Sequence, residues 1–355
     1  MRWGRYRQQC GNNMLEHGGQ LRRAARQYNI AEADWLDLST GINPNGWPVP
    51  IVPGDIWQRL PQGDDELNAA AQACYRTTKL LAVAGSQAAI QTLPMLRPPA
   101  QVALVAPSYA EHAHAWQRHG HQVIGVPATE ILQTGMTAQV VVIVNPNNPT
   151  GKLFSVDELL RLHAQLVARG GWLVVDEAFI DATPEHSLAS ICPRPGLIVL
   201  RSLGKFFGLA GARVGFILAE QTIMQALAEL LGPWASAAPS RHVATLALRD
   251  TAWQDATRKS LLPASQRLAE LLSTHGLISP SPPAPLPQAG EGRNFGGSSL
   301  FHWVCCADAA SVHQQLAQQG ILTRLFDRPA SVRFGLPRDE AQWTRLADAL
   351  NRIER

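Results

Sequence analysis

No stretch of this 355-residue chain reaches the ~18 consecutive apolar residues that a membrane-spanning helix requires. No apolar h-region stands near the amino terminus, so a secretory signal is not expected. Charge is scarce, at 17% of residues with a formal net charge of +3. Lys and Arg form no basic stripe, and Arg2, Arg5 and Arg7 in "RWGRYR" read as a solvated start rather than a nucleic-acid arm. Neither nucleic acid nor a membrane is therefore an expected partner. The five cysteines, Cys10, Cys74, Cys192, Cys305 and Cys306, are scattered, odd in number and without metal-ligand spacing. They argue against a disulfide framework and a metal site, and for a reducing compartment, the cytoplasm. No internal repeat is visible.

Apolar residues are plentiful, at 46%. The length suits about two domains with a sizeable core. From about residue 80 to 235, strand-like and helix-like runs alternate. "QVALVAP" (101–107), "HQVIGVP" (121–127), "QVVVIVNP" (139–146), "GWLVVDEAF" (171–179), "GLIVL" (196–200) and "ARVGFIL" (212–218) read as strands. Helical patterns fall at Tyr109–Arg118 and at 155–169, where Ser155 and Glu158 form a capping box. Such alternation, with nearly continuous apolar strands, predicts an α/β fold built on a mostly parallel sheet covered by helices. The run 212–218 is a candidate antiparallel member. A helical region extends from Gln221 to His275 with a break near "GPWASAAPS" (232–240), and the prolines of "SPSPPAPLP" (279–287) mark a boundary. Beyond it, "SSLFHWVCC", "ILTRLF" and "SVRFGLP" read as strands and "DAASVHQQLAQQG" and "DEAQWTRLADALNRIE" as helices, a small α+β domain. The expected organisation is a large domain over 51–275, a small domain over 276–355, and an N-terminal segment, 1–50, packed on the small one.

Ligands of open parallel sheets bind beyond the carboxyl ends of the strands. Several polar motifs fall there. "VAGSQAAIQTL" (83–93) puts Gly85, Ser86 and Gln87 at a helix start, where free N–H groups suit a phosphate, although Ser is also a common N-cap. "NPNNPTG" (145–151) ends a strand, as a rigid turn or as a pair of ligand-orienting asparagines. Asp176 ends a buried strand and needs a partner to remain charged. "RSLGKFFGLAGARVG" (201–215) carries Ser202, Lys205 and Arg213. One ligand accommodates the whole set: pyridoxal 5'-phosphate, with its phosphate on Ser86, Ser202 and Arg213, its ring nitrogen on Asp176 and its aldehyde on Lys205.

"NPNNPTG", "DEAF" and "SLGKFFGLAGARVG", in that order, resemble the fold type I pyridoxal-phosphate enzymes of the class I/II aminotransferase kind, over nearly the whole chain. The resemblance implies a large domain with a mostly parallel seven-stranded sheet, a small α+β domain and a homodimer. It implies Lys205 as the Schiff-base lysine, Asp176 as the acid on the ring nitrogen, and Asn148 on the cofactor hydroxyl. It places Ser202 and Arg213 on the phosphate with Gly85, Ser86 and Gln87, and makes Tyr109 in "PSYAEHAH" the ring that stacks on the cofactor. Arg333 in "SVRFG" becomes the grip on the substrate carboxylate. Two positions depart from the pattern. Phe179 stands where many relatives have a tyrosine that bonds the cofactor hydroxyl. Leu60, before Pro61, stands where many have a tyrosine reaching the phosphate across the dimer.

"EHGGQLRRAARQYNI" (16–30), "WLDLSTGINPNGWP" (35–48), "RLP" (59–61) and "VAGSQAAIQTLP" (83–94) are similar to the threonine-phosphate decarboxylases of cobalamin synthesis. Those enzymes are close relatives of the histidinol-phosphate aminotransferases, which remain the alternative. The resemblance implies a small phosphorylated amino acid as substrate, with His17, Gly41, Ile42, Asn43, Asn148, Arg324 and Arg333 around it. Two anionic groups require two cationic grips, and sequence leaves open whether Arg324 or Arg333 takes the phosphate.

Overall fold

The computed structural model describes residues 15–63, 65–134, 137–278 and 295–354. The basic start at 2–7, Cys10 and the proline-rich stretch 279–287 lie outside the described residues. The described chain divides into two compact units, one of Trp47–Asn147 with Leu153–Asp255, the other of Leu15–Gly46, Asn148–Lys152 and Ala256 onward. The expected boundary at residue 275 falls elsewhere by contact, because the division lies inside helix Thr251–Thr274.

The first unit is built on a seven-stranded sheet in the order Leu81–Val83, Gly215–Leu218, Leu197–Ser202, Trp172–Asp176, Val140–Val144, Gln101–Val105, Gln122–Val126. Every pairing is parallel except those of Gly215–Leu218, which runs against both neighbours. The α/β reading with one antiparallel member is borne out. The central strands are apolar on both faces because both faces are covered: all five side chains of Val140–Val144 are buried. On one face Val142, Val174, Ile198 and Ile217 pack with Ile90, Trp116 and Leu227. Helix Val156–Val167 starts with the expected capping box, Ser155 and Glu158 each satisfying the other's backbone. The helical region after Gln221 breaks twice, giving Gln221–Leu231, Ala238–Arg249 and Thr251–Thr274. The second break falls at Asp250, whose side chain accepts the Trp253 N–H at 2.9 Å and so caps the new helix.

The second unit holds a four-stranded antiparallel sheet in the order Arg324–Asp327, Ala330–Gly335, Phe301–Cys305, Phe295–Ser298. A two-residue parallel ladder joins Leu36–Asp37 to Ile321–Leu322. Gly335 is in close approach to this N-terminal segment: its N–H bonds the Leu38 carbonyl at 2.7 Å, and a Cβ there would lie 2.5 Å from the Thr40 carbonyl oxygen. No described helix is long and apolar enough to cross a membrane.

Candidate active site

The carboxyl edge of the large sheet gathers Gly85, Ser86, Asp176, Ser202, Lys205 and Arg213 of the residues singled out by sequence. Asp176 closes its strand, in register with Val144 on one side and Leu200 on the other. It is only 2% exposed. The Ala178 N–H donates to its Oδ1 at 3.0 Å, and His112 Nε2 lies 2.9 Å from its Oδ2. An Nε2–H tautomer of the buried imidazole therefore donates to the carboxylate, which supplies the partner that a buried anion needs.

Lys205 sits in the loop leaving strand Leu197–Ser202, its Nζ 5.5 Å from the centre of the Phe179 ring. Leu203 N–H bonds Val214 O at 3.2 Å, and Gly208 N–H bonds Lys205 O at 3.1 Å. The flanking phenylalanines explain the "KFFG" sequence. Both Phe206 and Phe207 are fully buried, and Phe207 stacks on Trp253 at 5.7 Å, so the lysine backbone is fixed from below.

Ser202, the last residue of that strand, accepts the Gly204 N–H on its Oγ at 3.2 Å. Gly85 is needed twice over. Its φ is +73°, a region that a side chain disfavours, and a Cβ would lie 2.6 Å from Arg213 Nη2. Gly215 likewise allows close approach, since a Cβ there would meet Ser86 N at 2.5 Å. The glycines thus bring Arg213 against the Gly85–Ser86 turn. Arg213 is held by Nη1 donating to Ala210 O at 3.1 Å.

Tyr109 precedes helix Ala110–Arg118, and its hydroxyl donates to Gln87 Oε1 at 3.2 Å. Gln87 and Gln91 both donate through Nε2 to Glu111 Oε2, at 2.8 and 2.9 Å. Burial raises the Tyr109 pKa well above that of a free phenol, with Glu111 and Asp176 adding and Arg213 opposing. The ring therefore keeps its proton at neutral pH. His112 and Glu111 were not singled out by sequence. The available signal was the demand of Asp176 for a partner, but "HAHAWQRHGH" offers His112, His114, His119 and His121 alike.

The loop "NPNNPTG" divides its asparagines. Asn145 is spent on the fold, exchanging bonds with Phe154 backbone at 3.1 and 2.8 Å. Asn147 accepts from Ser108 Oγ at 2.7 Å and donates to Pro107 O at 2.9 Å. Asn148 belongs to the second unit, where its Oδ1 accepts from Arg333 Nη1.

The second unit brings together the expected anion grips. Arg324 and Arg333 are directly opposite each other on adjacent antiparallel strands. Like charges so placed repel. Arg333 is 6% exposed; its Nη2 donates to Ser39 O at 2.6 Å, and its Nε has no acceptor among the described residues. Burial, then Arg324, pulls its pKa down to about 10 against the pull of Asp37. Ser39 is the hub of the N-terminal segment. Its Oγ donates to Asp37 Oδ1 at 2.5 Å and accepts Gly19 N–H at 2.7 Å. A Cβ on Gly18 would lie 2.3 Å from Ser39 O, which accounts for "HGG". His17 is exposed beside this anchor, Gly41 is buried, Ile42 half-buried, and Asn43 accepts Asn45 N–H on its own side chain at 3.0 Å. Leu60 belongs to the first unit and is 63% exposed, whereas Phe179 is buried. No cluster of metal-ligating side chains occurs among the described residues.

Residues 60–350 match the model of the family described as aminotransferase class I and II. The chain belongs to that family. Among curated relatives of this class I/II chain, a threonine-phosphate decarboxylase of Pseudomonas aeruginosa is 54% identical over 337 residues, 95% of this chain and 97% of the relative. A threonine-phosphate decarboxylase of a Sinorhizobium species is 41% identical over 349 residues, covering 96% and 98%. Among solved structures, the histidinol-phosphate aminotransferase of Sinorhizobium meliloti in complex with pyridoxal-5'-phosphate superposes with a TM-score of 0.77 at 20% identity, covering 96% of this chain and 95% of that one. That likeness is one of fold.

Proposed function

We propose that this chain is a pyridoxal-phosphate-dependent threonine-phosphate decarboxylase, which removes the carboxylate of O-phospho-L-threonine to give 1-aminopropan-2-yl phosphate for cobalamin synthesis. The observation that carries the reading is the cross-strand pair Arg324 and Arg333, in a chain 54% identical to a threonine-phosphate decarboxylase. A substrate with two anionic groups calls for two separate cations.

The first unit's residues fit the cofactor: the cradle that a Cβ at Gly85 would fill, the cation of Arg213, the hydroxyls of Ser86 and Ser202, the buried acid and the amine. When bound, pyridoxal phosphate supplies an electron sink for the pair left by the departing carboxylate. Asp176 holds negative charge for the ring nitrogen, and His112 keeps that carboxylate in place. Lys205 supplies the amine for the aldehyde and moves the proton that Cα finally takes. Tyr109 supplies a stacking face. Asn148 has its Oδ1 committed to Arg333, which leaves its NH2 as a donor, the group that the family resemblance assigns to the cofactor hydroxyl. Phe179 contributes no hydroxyl where many relatives have a tyrosine. Arg333, the more buried guanidinium and the one tied to Asn148, takes the carboxylate, and Arg324 takes the phosphate. Held at both ends, the substrate presents its Cα–carboxylate bond, not Cα–H, for cleavage. Orientation by these remote charges selects decarboxylation over transamination. The scattered, odd-numbered cysteines of the sequence suit a reducing cytoplasm.

The test compares substrates. Phosphothreonine releases carbon dioxide, and threonine reacts one to two orders of magnitude less well, the cost of a lost charge-assisted contact of about 1.5–3 kcal/mol. Arg324→Gln erases most of that preference. Glutamate formed from histidinol phosphate and 2-oxoglutarate, with no carbon dioxide from phosphothreonine, would replace this reading with the aminotransferase.

A further inference from the structure

Arg324 already holds an anion. Its Nη2 donates to the Glu16 carbonyl oxygen at 2.7 Å, and its Nη1 lies 3.5 Å from Glu16 Oε2. The other carboxylate oxygen, Oε1, lies 3.4 Å from Arg23 Nη1. One carboxylate is thus set between two guanidiniums, an arrangement that the oxygens of a phosphate would also satisfy. The Arg324 side chain is 19% exposed and that of Glu16 63%, so the acid is the partner free to leave.

The backbone beneath Glu16 has its own anchor. Gly18 packs on Ser39 O, where a Cβ would come within 2.3 Å, and Gly19 N–H bonds Ser39 Oγ at 2.7 Å. The Glu16 side chain can therefore turn away from Arg324 without unfastening the segment. The charged and titratable groups around Arg324 are Glu16, Asp327, Arg333 and His313, the last bonded through Nδ1 to Thr323 Oγ1 at 2.8 Å. Among these, Glu16 is the acid bonded to the guanidinium.

We propose that Glu16 is a resident counter-anion, which the phosphate of the substrate displaces from Arg324, with Arg23 released to the same phosphate. The inference rests on the reading that Arg324 takes the phosphate. Glu16 partly neutralises a guanidinium set opposite Arg333, and it lowers affinity for any ligand that must evict it. The phosphorylated product is held less tightly for the same reason and leaves faster. An unphosphorylated amino acid leaves Glu16 where it is.

The experiment measures inorganic phosphate binding to the cofactor-loaded enzyme by calorimetry, and KM for phosphothreonine and threonine. Glu16→Gln binds phosphate about 2- to 5-fold tighter, the scale of one exposed ion pair. KM for phosphothreonine falls by the same factor and KM for threonine is unchanged. The gain shrinks at about 0.5 M salt, where the Debye length is short. Glu32→Gln, which removes another exposed acid of the same unit, paired with Arg22 at 3.4 Å, leaves all three values as they were. A structural role for Glu16 gives a loss rather than a gain. Glu16→Gln binding phosphate no more tightly than the parent, while Arg324→Gln weakens binding, overturns the Glu16 inference alone. Arg324→Gln that binds phosphate as the parent does overturns both it and the assignment of Arg324.

Discussion

His112 lies three residues after Tyr109, which immediately precedes helix Ala110–Arg118, so one helix start places both the ring proposed to stack on the cofactor and the partner of the buried acid. The rings meet edge to face at 6.1 Å. The imidazole touches Asp176, and in the proposed site it acts on the cofactor only through that carboxylate, as a positioning residue. Replacing it by Leu leaves Asp176 as a buried carboxylate with one hydrogen bond fewer, a cost of about 1–3 kcal/mol. His112→Leu should lower kcat by roughly one to two orders of magnitude, weaken cofactor binding and move the pH dependence of the bound cofactor's absorbance. His112→Gln, which can still donate to the carboxylate, should recover part of the loss. A Leu variant with an unaltered absorbance titration would show that His112 only fills space. At this scale the sequence was legible where chemistry forces rare combinations: lysine between glycines, acid at the end of an apolar strand, arginine after a glycine-rich turn. It was illegible where the partner is one histidine among several on a helix, and where asparagines in a single loop divide between folding and function.

Two strands that sequence missed are hidden by composition or by shortness. Phe295–Ser298 reads "FGGS", with two glycines of low β-propensity, and Leu81–Val83 has three residues. Both are edge strands, in register with neighbours that were read correctly. The break at Asp250 was hidden because helix propensity is high on both sides. Packing between elements also sets a pH dependence. His302, on Phe301–Cys305, is buried against the long helix, its Nε2 2.9 Å from Ser265 O, and its Nδ1 has no partner among the described residues. Burial pulls its pKa down to about 4, the Ser265 carbonyl opposing. Unfolded, the ring titrates near 6.5. Between those values the unfolded chain binds a proton that the folded chain refuses. Stability is thus undiminished above about pH 6.5 and falls by up to about 1.4 kcal/mol per pH unit below it. Urea midpoints taken at pH 7.5 and pH 5 should differ more for the parent than for His302→Gln. Equal differences would place the acid sensitivity elsewhere.

The whole molecule carries a set of exposed apolar side chains close in sequence: Val49, Ile51, Trp57 and Leu60, with Ile51 96% exposed. Exposed large apolar side chains of this kind are candidates for a contact face, and they offer a test of the homodimer that the family resemblance implies. Ile51→Glu combined with Trp57→Glu should shift sedimentation from dimer to monomer, whereas a parent that is active as a monomer would remove the dimer from the reading. Lysine, aspartate and arginine of the cofactor set were all visible in the sequence, so cofactor chemistry was the most legible property of the chain. The choice of reaction was less so, because the same cofactor residues serve decarboxylation and transamination, and the two arginines proposed to decide it, Arg324 and Arg333, sit in strands of ordinary composition. Release of labelled carbon dioxide from carboxyl-labelled phosphothreonine, with no 2-oxo acid present, tests that choice most directly. A decarboxylase turns over many times and leaves aminopropanol phosphate. Label retained in a 2-oxo acid, with reaction stopping after one equivalent per site, would contradict it.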